Sequence, residues 1–140
     1  MFQTASFLGP SGKKNVLRQD HSFVYAMQHN LQVDAHRSSD CCVHPGYGWA
    51  MRRALFDRLG GLLEFSIIGS GDLHFAFALY NRIDETIPNE VHEDYRYLAR
   101  TWGDRLAELA ENGAKVGYLP MNIYHYWHGN RQDRRYNERW

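Results

Sequence analysis

The strongest pattern in this sequence is one long amphipathic helix between stretches that favour strands. From about Asn89 to Asn112, apolar side chains recur at the spacing of one helical face, and Gly113 follows the last of them. An amphipathic helix has to bury its apolar face against a second layer of structure, so we predict a mixed α/β fold in which this helix packs on a small sheet. The apolar positions are Tyr95, Leu98, Ala99, Trp102, Leu106, Leu109 and Ala110. The face expected to meet the sheet consists of Tyr95, Leu98, Trp102 and Leu106.

The strand signals lie on both sides of this helix. After it, "AKVGYLP" and "NIYHYW" are typical of two short strands separated at Pro120. Before it, Gly46 and Gly48 flank Tyr47 ahead of "WAM". Glycines at such positions suggest a strand that a ligand or another backbone approaches closely.

Two shorter helices precede the long one. Arg52 to Leu59 carries its apolar residues on one face and is followed by a Gly-Gly turn. In "GSGDLHFAFALY", Ser70 is positioned to cap a helix that has Asp72 in its first turn and an apolar body from Leu73 to Tyr80. Because that body is apolar on all sides, we expect this second helix to be buried.

Length and composition favour one folded domain, residues 1–140, with loops and short strands in residues 1–42 and the core in residues 43–140. Lys plus Arg and Asp plus Glu number 16 each, and this zero net charge argues against a nucleic-acid partner. The adjacent Cys41 and Cys42 suit a reducing compartment better than a structural disulfide. No apolar run approaches the roughly 20 residues of a membrane span. We therefore expect a cytoplasmic protein without a membrane-spanning segment.

Asp72 is the first candidate for a catalytic side chain. A carboxylate that follows the Gly69-Ser70-Gly71 stretch at the start of a helix is open to close approach by a ligand. Such a group can act as a general base. The alternative is that Asp72 only satisfies the free N–H groups of the helix start. We predict that it lines a cleft near Trp49, away from open solvent.

His125 and His128 form an H-x-x-H pair, which at a strand end can place both imidazoles on one divalent metal ion. Guanidinium groups close behind them suit phosphate oxygens. The alternative is a solvated arginine face with two packed histidines. If the functional interpretation holds, at least one histidine faces the same cleft as Asp72. The arginines are Arg131, Arg134 and Arg135.

Aromatic residues near these candidates can bind a sugar or a base by stacking, because flat rings offer a large apolar surface. The candidates are Tyr47, Trp49 and Trp127, and core packing is their alternative use. The chain contains no glycine-rich nucleotide-binding fingerprint.

Cys41, Cys42 and His44 also raise the possibility of a zinc site completed by one of the two later histidines. The Cys-x-x-Cys spacing that strong zinc sites use is absent from the chain. A zinc site is therefore the weaker alternative for these residues.

The order of these features resembles the second half of glycosyltransferases of the GT-A type, including the family 2 enzymes and the galactosyltransferase C-terminal segment. The matching residues are a Gly-aromatic stretch, "AMRRALFDRLGGLLE", then "GSGD" opening an apolar helix, and later "HYWHG" with trailing arginines. The resemblance covers about Pro45 to Trp140.

This resemblance implies a partial GT-A fold with a mixed sheet and packed helices, and transfer of a sugar from a nucleotide-sugar to a glycan or other acceptor. Asp72 would be the acceptor-side base, with Tyr47, Gly48, Trp49, Gly71 and Trp127 around the sugar. His125 or His128 would hold a divalent metal, Mn²⁺ or Mg²⁺, and the three arginines would bind phosphate.

The chain departs from the family pattern in two ways. Gly71 stands where family members often have a Glu before the catalytic Asp, and no D-x-D metal motif occurs in the sequence. In the family that motif ends the nucleotide-binding half, which would precede Met1. We therefore expect either a truncated acceptor-side part, inactive by itself, or one piece of a split enzyme that works with a separate N-terminal half. A non-catalytic interaction or structural protein, and a metal-dependent nuclease or nucleic-acid-binding module, are the alternatives.

Overall fold

The fold is a four-stranded mixed sheet with helices packed beside it, seen in a computed structural model that describes residues 1–35, 43–66 and 69–129. The strand order is β3-β2-β1-β4. Strand β1 pairs antiparallel with β2 and parallel with β4, and β2 pairs parallel with β3. The strands are β1 (Phe2–Gly9), β2 (Gly12–Ser22), β3 (Val43–His44) and β4 (Leu119–His125).

Four α-helices and one 3₁₀ helix complete the described structure. They are α1 (Phe23–Gln28), α2 (Arg53–Leu59), α3 (Gly71–Ala78), the 3₁₀ helix Ile83–Thr86 and α4 (Glu93–Leu109). The mixed α/β class and the three helices α2, α3 and α4 agree with the sequence-based predictions. None of the helices in the described ranges is long and apolar enough to cross a membrane.

The N-terminal region is more regular than the short strands predicted for residues 1–42. Strands β1 and β2 form a hairpin of 8 and 11 residues. Polar residues within it hydrogen-bond across the sheet: the Thr4 and Ser6 hydroxyls donate to Asn122 Oδ1 at 2.9 and 3.2 Å. Gln19 Nε2 donates to Ser6 Oγ at 3.2 Å. These cross-strand bonds stabilise strands whose sequence lacks a clean apolar and polar alternation.

The prediction of two strands separated at Pro120 is wrong, because β4 runs continuously from Leu119 to His125. This strand lies at the edge of the sheet and pairs with β1. Proline lacks an N–H group, and an edge strand tolerates that loss because one side of its backbone needs no sheet partner.

The predicted strand around Gly46 to Met51 does not form either, and residues 45–52 are irregular. Tyr47 has a left-handed backbone with φ of 76°, which no regular strand allows. The Gly48 N–H donates to the Gly46 carbonyl at 3.2 Å, so the chain turns here. This turn sends neighbouring aromatic side chains in different directions.

Helix α4 does not pack on the sheet as predicted. It packs on α2, α3 and the 3₁₀ helix, and Leu98 from the predicted face is 46% exposed. Helix α3 lies between α4 and the sheet side of the molecule, and its residues from Leu73 to Ala78 are all buried. The buried α3 agrees with its apolar sequence. Because α3 joins two apolar clusters, it positions both the core and the site at its N-terminus.

Candidate functional site

Asp72 lies in the first turn of α3, as the sequence predicted. Its Oδ1 accepts a hydrogen bond from the Leu73 N–H at 2.9 Å, and the free N–H groups of a helix start favour a negative charge. Ser70 occupies the N-cap position with a left-handed backbone, φ 64°, and its side chain makes no capping hydrogen bond. The capping hydrogen bond expected from Ser70 is therefore made by Asp72.

A cavity of about 700 Å³ opens beside this carboxylate. Its walls include Asp72 and the predicted residues Trp49 and Gly71. The expected cleft near Trp49 is present, but Asp72 is exposed at its mouth, which differs from the prediction of a carboxylate away from solvent. Volumes of roughly 300–1,000 Å³ are typical of small-molecule sites.

The apolar walls of this cavity are aromatic rings whose orientation is fixed. Trp49 meets Phe75 edge to face with ring centres 4.9 Å apart, and Phe75 lies 6.1 Å from Trp102. The Trp49 indole N–H donates to the Pro45 carbonyl at 2.8 Å, and the Trp102 indole N–H donates to the Gly61 carbonyl at 3.0 Å. Because both polar ends are bonded to backbone, the rings are held as stable apolar surfaces.

Sequence reasoning missed Trp102, Arg53 and Leu62 as lining residues of this cavity. Trp102 belongs to the regular apolar pattern of α4, so it was assigned to packing. The only feature of the sequence that could have indicated this role was its size, because a Trp side chain extends further from the helix than the Leu and Ala side chains at the neighbouring apolar positions. Arg53 follows the N-cap of α2 and is paired with Asp57 at 2.8 Å.

The turn at Gly46 sits directly against the Asp72 carboxylate. A Cβ atom built on Gly46 would lie 2.5 Å from Asp72 Oδ2 and 3.0 Å from His44 Cε1. A side chain at position 46 would therefore require the Asp72 carboxylate to turn away and the His44 ring to shift slightly. The Gly46 N–H also donates to His44 Nδ1 at 2.9 Å, which ties the turn to β3. The carboxylate is thus bounded by backbone on one side and by the cavity on the other.

His74, two residues after Asp72 in α3, is fully buried and is held by two hydrogen bonds. The Thr86 hydroxyl donates its proton to the Ile83 carbonyl at 2.6 Å, so Thr86 Oγ1 accepts from His74 Nδ1 at 2.6 Å. His74 Nε2 then accepts from the Tyr95 hydroxyl at 2.8 Å. Burial lowers the pKa of His74, and the Asp72 charge raises it by a smaller effect. The arrangement suits a neutral imidazole with its proton on Nδ1.

The predicted metal ligands His125 and His128 lie close together, with their Nε2 atoms 3.1 Å apart. They are not among the residues that line the Asp72 cavity. His125 instead packs 4.9 Å from Tyr47 and 5.3 Å from Phe7, measured between ring centres. No group of three or more His, Cys, Asp or Glu within the described ranges is placed to hold a metal ion.

Tyr47 lies between His125 and His44. It stacks on His44 with ring centres 4.1 Å apart, and the His44 ring lies close to Gly46. Tyr47 therefore contacts His125 and His44, whereas Trp49 lines the cavity. Gly48 lies in the exposed turn between them.

The remaining predicted site residues lie away from the cavity or outside the described ranges. Trp127 is 40% exposed after the end of β4 and is not among the lining residues. Cys41, Cys42 and the three arginines Arg131, Arg134 and Arg135 fall outside the described residues.

In comparisons with known proteins, no protein-family model, no curated protein and no solved structure matches this chain.

Proposed function

We propose that the cavity beside Asp72 binds the sugar acceptor of a glycosyl transfer reaction, in which Asp72 acts as the general base. One observation carries the proposal: an exposed carboxylate at the start of a buried helix stands at the mouth of a cavity whose walls are oriented aromatic rings. The order of sequence motifs, which resembles the acceptor half of GT-A-type glycosyltransferases, supports the same reaction.

The chemical composition of the cavity suits a carbohydrate. The apolar C–H faces of a sugar ring pack on indole and phenyl rings, which Trp49, Phe75 and Trp102 supply. Sugar hydroxyl groups donate hydrogen bonds to carboxylates, and Asp72 Oδ2 faces the Gly46 turn while Oδ1 accepts from backbone. Arg53 at the rim supplies hydrogen-bond donors for ring or hydroxyl oxygens.

In the proposed reaction, Asp72 accepts the proton of one acceptor hydroxyl as that oxygen attacks the anomeric carbon of a nucleotide-sugar. The bond from the anomeric carbon to the diphosphate oxygen breaks, and a nucleoside diphosphate leaves with the bonding electron pair. A carboxylate within hydrogen-bond reach of the attacking hydroxyl can serve as such a general base.

The described residues supply fewer groups for the donor and its metal than for the acceptor. A divalent ion, Mn²⁺ or Mg²⁺, would stabilise the negative charge of the leaving diphosphate. His125 and His128 offer two nitrogens to such an ion, but the described residues contain no third ligand beside them. We propose that the donor is held largely by a separate N-terminal half, as the resemblance implies, with Arg131, Arg134 and Arg135 as proposed phosphate contacts.

The test is sugar transfer by wild-type protein and by Asp72→Asn, with nucleotide-sugar donors, carbohydrate acceptors, Mn²⁺ and the donor-binding half. Loss of a general base typically costs 10²- to 10⁴-fold in rate, so we expect at least a 100-fold loss with unchanged circular dichroism. Equal turnover in the two proteins would rule out the base role of Asp72.

A second candidate function is a non-catalytic interaction protein. Large apolar side chains on β4 and just after it are exposed, and exposed apolar patches often mark protein contacts. They are Leu119, Met121, Tyr124, Tyr126 and Trp127. In that case substitution of Asp72 would leave the cellular function of the protein intact.

A further inference from the structure

A second cavity, of about 520 Å³, lies on the other side of the irregular segment that carries Trp49. Trp49, Met51 and Phe75 form a wall common to both cavities. The second cavity is otherwise lined by residues that the proposed acceptor site does not use. Aliphatic side chains from α2, α4 and the segment before β4 form its floor: Leu55, Leu106, Leu109 and Val116.

The charges around this second cavity are of one sign. Its charged lining groups are Arg52, Lys115 and the Met1 ammonium, which donates to the Gly117 carbonyl at 3.1 Å, and no Asp or Glu lines it. Lys115 forms an ion pair with Glu111, which offsets its charge. Arg52 is exposed, and within the described ranges no ion pair of Arg52 is found. A guanidinium group therefore stands at the rim of an apolar hollow, ready to pair with an anion.

These two properties exclude most ligand classes. A sugar or a nucleotide base needs polar side chains inside the site, and this floor is aliphatic and aromatic. A purely apolar ligand would leave the Arg52 guanidinium without an anionic partner. An unbranched alkyl chain with one anionic head matches both parts, because the chain fills the hollow while the head meets Arg52.

We propose that this second cavity binds a single-chain amphiphile with an anionic head, of the alkyl phosphate or fatty carboxylate class. The proposal is independent of the acceptor site, since neither Arg52 nor the aliphatic floor belongs to it. Each methylene buried in the hollow contributes about 0.8 kcal/mol, which corresponds to about fourfold tighter binding. Affinity should therefore rise with chain length until the cavity is filled.

The test is calorimetric titration of the whole chain with octyl, decyl and dodecyl phosphate below their micelle-forming concentrations. Dodecanoate, dodecyl trimethylammonium and inorganic phosphate are the comparison ligands. We expect binding of both long-chain anions, tightening by up to about fourfold per methylene, and at least tenfold weaker binding of the cationic amphiphile. The tighter of dodecyl phosphate and dodecanoate identifies the preferred head group.

Two pairs of variants locate the site. Arg52→Gln should weaken dodecyl phosphate binding about tenfold, whereas Arg58→Gln, at an exposed arginine within the adjacent helix α2, should not. Ala50 is exposed and lines only the second cavity, so Ala50→Phe should block binding while Ala54→Phe on the α2 surface should not.

Three outcomes would overturn the proposal. These are equal binding of anionic and cationic amphiphiles, affinity that does not change with chain length, and binding unaffected by both Arg52→Gln and Ala50→Phe. None of them bears on sugar binding beside Asp72.

Discussion

At the scale of single residues, the site is defined by a small number of close approaches around Asp72. Gly46 leaves room for the carboxylate in its present orientation, which a side chain at that position would displace. Below it, His74 is buried as a neutral ring between Thr86 and Tyr95. These contacts join residues distant in sequence, and for that reason the sequence alone indicated Asp72 but not the groups that position it.

His74 makes the stability of the fold depend on pH. Because burial lowers its folded pKa below the ordinary value of 6.5, the unfolded chain binds more protons as pH falls through that value. Stability is then highest above pH 6.5 and declines as pH falls toward the folded pKa. The loss reaches at most about 1.4 kcal/mol per pH unit for one group.

Denaturant unfolding between pH 7.5 and 5 checks this prediction, with His74→Gln as the matched variant. We expect the free energy of unfolding to fall more steeply with decreasing pH in the wild type than in the variant. Parallel curves would show that His74 does not couple folding to protonation.

The paired histidines give a separate residue-scale prediction for the donor side. If His125 and His128 take part in binding a metal and a diphosphate, a nucleoside diphosphate should bind more tightly with Mn²⁺ than without it. With the D-x-D ligands absent from the sequence, we expect weak binding, with Kd on the order of millimolar.

Calorimetry with and without Mn²⁺ on wild type, His125→Ala and His128→Ala tests this prediction. Each variant should lose the effect of the metal. If binding is independent of Mn²⁺ and both variants match the wild type, His125 packs against Tyr47 and Phe7, and His128 against His125, without a role in the donor site.

At the scale of elements, the position of α4 is decided by contacts that periodicity does not show. Its apolar face predicts that it must pack on something, but not whether the partner is a sheet or another helix. The closest contact is at Gly103, where a built Cβ would lie 2.6 to 3.0 Å from three atoms of Ile83. The 3₁₀ helix Ile83–Thr86 thus occupies the space that the sheet was expected to fill.

Gly103→Ala should therefore destabilise the protein although alanine is the better helix former. The change gains about 1 kcal/mol of helix propensity, whereas overpacking a tight core contact typically costs 1–3 kcal/mol. With atoms as close as 2.6 Å at a buried site, we expect the packing cost to prevail, with a net loss of up to about 2 kcal/mol.

Chemical denaturation measures this difference. Gly117→Ala serves as the control, because nothing lies within 4 Å of its built Cβ and its backbone does not need glycine. The control should stay within about 0.5 kcal/mol of the wild type. Equal stability of Gly103→Ala and the wild type would show that α4 can move away from Ile83 at no cost.

At the scale of the whole molecule, the sequence predicted the α/β class and the three helices α2, α3 and α4. It did not predict how these elements meet. The pairing of β1 with β4 is supported by polar bonds between strands far apart in the chain, and the Gly46 turn lies against Asp72 from a distant helix. Such long-range contacts leave no local pattern. The candidate site was predicted in part. Trp49 and Asp72 line one cavity as expected, but the contribution of Trp102 from the distant α4 was not predicted, because it also depends on a long-range contact.

The central claim is that the cavity beside Asp72 binds a carbohydrate. Its most direct test is screening of an oligosaccharide panel, followed by titration of the tightest binder. The variants are Asp72→Asn and Leu62→Trp, since Leu62 is 59% exposed and a larger ring there would fill the cavity. Leu31→Trp, at a residue 41% exposed that lines neither cavity, is the control. We predict at least tenfold weaker binding in both variants and wild-type affinity in the control. Failure of every oligosaccharide to bind, or equal affinity in all four proteins, would contradict the claim.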